Sequence, residues 1–170
     1  MAKTGVSESK SRYRRSVARH EATHCVTAIA LGAKVHFVCF LDVYRPSGFT
    51  GDAETSDALT SIDMRPVNKV YGDKAFFAHL VRLCAPYFLG KEKDASGCDE
   101  DLETAACLLD DYVSSGQRSS CHAAIKAEVL RLFSIPKNRR ALRLVTKTLI
   151  EKGVVFEEEI NEIYRNAERV

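Results

Sequence analysis

Two histidines and a glutamate near the start of the chain have the types and spacing that zinc chemistry requires. Residues 19–25 read Arg-His-Glu-Ala-Thr-His-Cys, which contains the pattern His-Glu-x-x-His. Because residues four apart on a helix point in the same direction, His20 and His24 would direct both imidazoles at one point in space. Glu21 lies about 100° further round the helix, where its carboxylate can flank a water molecule on the metal. The pattern therefore predicts a zinc peptidase helix with Glu21 as its catalytic residue.

This geometry requires that the flanking residues form a helix. Apolar residues recur on both sides of the motif, and no glycine or proline interrupts the pattern before Gly32, which predicts a helix from Ser9 or Ser11 to about Leu31. Short motifs also arise by chance, and the alternative is that both histidines are ordinary core or surface residues. His79, in an apolar segment, is interpreted in this way as a packed histidine.

A third metal ligand is expected further along the chain, since catalytic zinc sites commonly use three protein ligands. Residues 99–113 predict a helix with inward-facing apolar residues and an acidic first turn. The acidic residues of that turn are Asp99, Glu100, Asp101 and Glu103. Acidic side chains there also favour the helix dipole without any metal, and spacing alone does not choose a ligand among them.

Composition predicts one ordinary globular domain, with residues 1–9 as a flexible N-terminus and residues 10–170 as the folded unit. The chain has 170 residues, of which 45% are hydrophobic and 28% charged. Its net charge of +2 is too small to indicate nucleic-acid binding. No apolar run reaches the roughly 18 residues of a membrane span, and the first residues lack the apolar core of a secretory signal. We therefore expect a cytoplasmic location, and free thiols at all six cysteines.

The remaining pattern predicts a mainly α (α+β) architecture with a small β element inserted after the first helix. A strand is expected over residues 35–44, followed by a long loop over 45–73 with a second short strand near 49–50. Further helices are expected over residues 74–90, 119–134, 139–152 and 156–167. Pro86 should kink the first of these or end it near Cys84, and Asn138 should cap the third. A strand beside the metal helix would offer a substrate peptide an edge to pair with.

The order of these parts resembles the peptidase domain of FtsH-type ATP-dependent zinc proteases. The resemblance rests on the His-Glu-Ala-x-His helix, the strand with its loop, and the apolar helix that ends at Gly90. Residues 96–102 read Ser-Gly-Cys-Asp-Glu-Asp-Leu and are similar to the family's Thr-Gly-Ala-x-x-Asp-Leu element. The stretches 138–142 and 149–151 resemble the family's closing helices. The likeness covers about residues 10–165.

The resemblance implies a complete zinc site. It selects Asp101 as the third ligand beside His20 and His24, and Cys98 draws attention because it lies three residues before that aspartate. With Zn²⁺ bound, Glu21 would take a proton from the attacking water and deliver it to the departing amine. The chain departs from the family at Thr23, where members have glycine. It departs again in the segment around Arg82, which lacks the glycine and glutamate of a Gly-Arg-x-x-Glu element.

The sequence contains neither the family's ATPase module nor its membrane segments. We therefore expect a zinc metallopeptidase that cleaves unfolded or flexible protein segments, or that depends on a separate ATPase unfoldase. A protein or peptide substrate and further copies of the chain in a homo-oligomer are the other expected partners. The alternative, motivated by the departures from the family pattern, is a catalytically impaired module that binds protein through its helical surface.

Overall fold

A computed structural model describes residues 4–47, 58–90 and 98–168, which form seven α-helices and three strands. In chain order the elements are α1 (Thr4–Ala30), β1 (Lys34–Phe40), β2 (Ala58–Asp63), α2 (Arg65–Tyr71), α3 (Ala75–Leu89), α4 (Cys98–Tyr112), α5 (Arg118–Ser134), α6 (Pro136–Lys152), β3 (Val154–Phe156) and α7 (Glu157–Asn166). The predicted mainly α architecture with a small β element after the first helix is confirmed. None of the helices in these ranges has the length and apolarity to cross a membrane.

Helix α1 runs through the centre of the molecule. It begins at Thr4, several residues before the predicted start, and Gly32 follows its end with a left-handed φ of 87°. Every residue from Ala22 to Ala28 is buried, on all faces of the helix. A helix that is buried all round needs neighbours on every side, and α1 packs against α3, α6 and the sheet. The second half of the zinc motif therefore lies in the core.

The three strands form one antiparallel sheet in the order β2-β1-β3. Val38 in the middle strand pairs with Thr60 on one side and with Val155 on the other. Strand β1 is shorter than predicted, because a turn follows it in which the Tyr44 amide donates to the Phe40 carbonyl at 2.9 Å. The described second strand lies at 58–63, and the strand predicted near residues 49–50 falls outside the described residues.

Two proline and asparagine predictions were wrong. Pro86 lies inside α3, which continues to Leu89, and the Gly90 amide then donates to the Pro86 carbonyl at 2.8 Å. Asn138 does not cap α6, because Pro136 occupies the first turn of that helix, as the fixed φ of proline favours. The Asn138 side chain is instead buried and donates to a carbonyl near the end of α5 at 2.7 Å. It thereby ties two helices together.

Candidate metal centre

Three side chains from α1 and α4 converge on one point. The Nε2 atoms of His20 and His24 lie 3.0 Å apart. The Oδ2 atom of Asp101 lies 3.0 Å from the first and 2.9 Å from the second. The side chains are 11%, 6% and 22% exposed, respectively, so the cluster is largely shielded from bulk water. The structure therefore brings together the three residues predicted as metal ligands.

Packing distinguishes Asp101 from the other acidic residues of its turn. Asp99, Glu100 and Glu103 are exposed. Asp101 is half-buried, on the side of α4 that meets the histidines. Cys98 begins this helix, but its side chain lies outside the described part of the structure. Spacing left four candidates for the third ligand, and the three-dimensional contacts reduce them to one.

A backbone carbonyl of α3 fixes the orientation of the His24 ring. The Nδ1 atom of His24 lies 3.1 Å from the carbonyl oxygen of Arg82. Because a carbonyl can only accept, Nδ1 must carry the proton, which leaves Nε2 of the neutral ring with a lone pair directed at the cluster. Metal-binding histidines generally have such a partner on the second nitrogen.

Pro86 explains why this carbonyl is available. In a regular helix, the Arg82 carbonyl would accept a hydrogen bond from the amide four residues later, and that residue is Pro86, which has no amide hydrogen. The buried carbonyl therefore requires another donor, and His24 supplies it. A proline that looks like a helix breaker in the sequence thus serves the candidate site.

The cluster requires a shared cation. In the neutral form of His24 set by the Arg82 carbonyl, the atoms nearest one another include an imidazole lone pair and a carboxylate oxygen, which repel unless a proton or a metal ion lies between them. Burial raises the pKa of Asp101, but the hydrogen bonds to both histidines outweigh it and hold that pKa below its usual range. Asp101 is therefore a carboxylate under ordinary conditions.

The donor set fits a metal ion. One ligand atom from each of the three residues lies within 4.8 Å of the others. Ligands held about 2.0–2.1 Å from a tetrahedral zinc ion would lie roughly 3.3 Å from one another. The observed separations of 2.9–3.0 Å would therefore have to increase by only a few tenths of an ångström. Two imidazoles with a single carboxylate suit zinc better than calcium or magnesium, which prefer oxygen ligands.

Glu21 lies beside the cluster without belonging to it, and a strand holds its carboxylate. Its Oε2 atom accepts a hydrogen bond from the Thr60 hydroxyl of β2 at 2.6 Å. Sequence reasoning missed Thr60, because it assigned residues 45–73 to a loop. The alternation of the β-branched residues Thr60 and Ile62 was the available signal for a strand.

Arg82 contributes a positive charge near both carboxylates. Its side chain is partly buried, and its Nε atom has no hydrogen-bond partner among the described residues. Burial lowers the pKa of Arg82, while the nearby charges of Asp101 and Glu21 raise it. Thr23, which stands where the resembled family has glycine, donates its hydroxyl to the Arg19 carbonyl of its own helix at 2.8 Å. The hydroxyl of that residue is thus satisfied within α1.

The other candidate ligands lie outside the cluster. His79 is half-buried and its Nε2 lies 3.3 Å from Asn68 Oδ1, as expected for a packed histidine. The cysteines with described side chains are free thiols, as predicted. Burial raises the pKa of Cys84 to about 11, and the charge of Asp101 adds to this effect. A thiol of this kind is protonated at neutral pH and is a poor metal ligand.

Comparison with known proteins adds no family assignment. The sequence matches no protein-family model, and no curated protein matches it significantly.

Proposed function

We propose that this chain is a zinc-dependent metallopeptidase. His20, His24 and Asp101 would hold the ion, and Glu21 would act as the general base. The observation that carries the proposal is the convergence of three ligand atoms at 2.9–3.0 Å from one another, next to a carboxylate on the same helix. Three protein ligands leave the fourth tetrahedral position for a water molecule, which is typical of catalytic rather than structural zinc sites.

Bound zinc supplies two kinds of chemistry, since it lowers the pKa of a coordinated water from 15.7 to roughly 7 and polarises a peptide carbonyl. Glu21 accepts a proton from the attacking water and delivers it to the departing amine. The hydrogen bond from Thr60 occupies Oε2 of Glu21, so Oε1 is the oxygen available for proton transfer. The Arg82 carbonyl keeps the His24 lone pair directed at the ion.

The sheet supports an extended substrate. Strand β2 lies at the edge of the sheet as far as the structure describes it, and Thr60 on this strand contacts Glu21. A peptide that pairs with such an edge must be extended, so unfolded or flexible protein segments fit better than folded domains. The ATPase unfoldase and the homo-oligomer implied by the family resemblance stay predictions, as does the cytoplasmic location.

Glu21→Gln tests the proposal most directly. The purified chain should bind one zinc ion and cleave an unstructured fluorogenic peptide. The variant should retain zinc and lose turnover by about 10²–10⁴-fold, the usual contribution of a general base. Glu103→Gln is a matched control, because Glu103 is exposed on the other helix of the site, and it should leave both properties unchanged. Zinc binding without cleavage in the wild-type chain would instead favour the protein-binding module.

The preference for unfolded substrates has its own test. A stable folded protein should be cleaved far more slowly than its denatured form when no helper protein is present. Equal rates for the two forms would contradict an extended binding mode, whereas the zinc measurement above would be unaffected. The two parts of the proposal can therefore fail separately.

A further inference from the structure

A groove with a strongly basic lining lies between α1 and α6, apart from the metal cluster. It has a volume of about 620 Å³. Among the described residues, its lining includes five cationic side chains and one carboxylate. The cations are Arg15 and Arg19 on α1, and Arg139, Arg143 and Lys147 on α6. The charge is local, since the net charge of the whole chain is only +2.

The spacing of these cations is energetically unfavourable without a partner. Arg15 and Arg19 are four residues apart on one helix, and Arg139, Arg143 and Lys147 follow one another at the same interval on the facing helix. Like charges at this spacing destabilise a helix by about 0.2–0.5 kcal/mol per pair. An anion in the groove would relieve the repulsion within each row and between the two rows.

Neighbouring carboxylates do not neutralise the groove. Among the ion pairs of the described residues, none involves Arg15, Arg139 or Arg143. Lys147 has an exposed pair with Glu151 at 3.8 Å, a separation at which the interaction is weak. Most of the positive charge in the groove is therefore available to a ligand.

The lining also favours protein over nucleic acid. Leu142 and Ile150 contribute aliphatic surface between the charges, and the second of these is 38% exposed. No aromatic side chain is among the described lining residues, although stacking on aromatic rings is the usual way of holding single-stranded bases. The row on α6 covers eight residues, or about 12 Å, which requires a ligand longer than a single ion.

We propose that this groove binds an acidic protein segment that carries aliphatic side chains between its carboxylates. Its carboxylates would pair with the two arginine rows, and its aliphatic groups would cover Leu142 and Ile150. The groove includes none of the metal-binding residues. The interaction is therefore independent of zinc and of peptide cleavage, and it can be measured without either.

The test is fluorescence anisotropy with three labelled probes of equal length: a Glu/Leu peptide, the corresponding Gln/Leu peptide and oligothymidylate. We expect the Glu/Leu peptide to bind at low salt and the Gln/Leu peptide not to bind. The double variant Arg139→Glu/Arg143→Glu should weaken binding at least tenfold, and the milder Arg139→Gln/Arg143→Gln should weaken it less. Circular dichroism verifies that each variant is folded.

A control with the same change in charge separates the groove from general electrostatics. Lys126→Glu/Arg165→Glu alters two exposed cations on α5 and α7, outside the groove lining, and should leave the affinity within about twofold. Equal losses in both double variants would overturn the proposal, as would no binding of the acidic peptide. Oligothymidylate that binds more tightly than the peptide, with the same dependence on Arg139 and Arg143, would also overturn it.

Discussion

Replacement of Pro86 by alanine should weaken zinc binding without any change to a metal ligand. The substitution introduces an amide hydrogen into α3 at the position that faces the Arg82 carbonyl in a regular helix. That carbonyl now accepts from Nδ1 of His24 at 3.1 Å. The new amide would compete for it and turn the carbonyl back toward the helix axis. The His24 ring would then lose its fixed orientation and its fixed tautomer.

The size of the effect follows from the contact that is lost. Removal of a partner on the second nitrogen of a metal-binding histidine typically reduces metal affinity by about 10–100-fold, or roughly 1.4–2.7 kcal/mol. A carbonyl oxygen has two lone pairs and can accept from both donors in part. We therefore expect a loss in zinc affinity near tenfold for Pro86→Ala. Stability of the metal-free protein should change little, because the gained backbone hydrogen bond, worth about 1 kcal/mol, offsets the lost contacts of the buried ring.

Competition with a fluorescent zinc chelator measures the affinity, and chemical denaturation without metal measures the stability. Pro136→Ala is the matched control, since Pro136 occupies the first turn of α6, where its missing amide frees no helix carbonyl. That variant should bind zinc like the wild-type chain. An unchanged zinc affinity in a folded Pro86→Ala variant would refute the reasoning, because the carbonyl would then have no part in orienting His24.

Three further substitutions test other contacts. Thr60→Val should lower kcat by about tenfold to hundredfold in a peptide cleavage assay, because it removes a charge-assisted hydrogen bond of about 1.5–3 kcal/mol to Glu21. Thr60→Ser should retain most activity, and equal losses in both would contradict a role for the hydroxyl. Thr27→Val should stabilise the chain in urea denaturation by about 1 kcal/mol, because the buried Thr27 hydroxyl has no partner among the described residues; a less stable variant would contradict this. Gly153→Ala should destabilise by at least about 1–2 kcal/mol, since Gly153 has a φ of 79° and a Cβ there would lie 2.6 Å from Val43. Val43→Ala should recover part of that loss in the double variant.

The parts of the site that depend on local geometry could be predicted from the sequence. The juxtaposition of His20 and His24 follows from the pitch of one helix. The contact partners could not be predicted in this way, because they depend on tertiary packing. Thr60 lies 39 residues from Glu21 in the sequence, and the Arg82 carbonyl lies 58 residues from His24. The choice of Asp101 as a ligand came from a family resemblance, and local spacing left it open.

The errors in the fold have a similar origin. Strand β3 has three residues and exists because β1 offers it an edge, with Val154 opposite Cys39. Nothing in three residues alone distinguishes a strand from a connection. Pro86 was predicted to kink or end α3, since local propensity disfavours proline within a helix. The packing of α3 against α1 and α5 overrides that preference.

The buried segment of α1 connects the fold to the chemistry. From Ala22 to Ala28 the side chains are mostly small, and they let neighbouring helices approach closely, since the distance between packed helices depends on the side chains at the contact. Close approach is what brings the Arg82 carbonyl of α3 within hydrogen-bonding distance of His24. Larger residues in this segment should therefore reduce stability and metal affinity together. Pro86→Ala should instead lower the affinity alone, because it changes the donor to one carbonyl and leaves the small-residue contact intact.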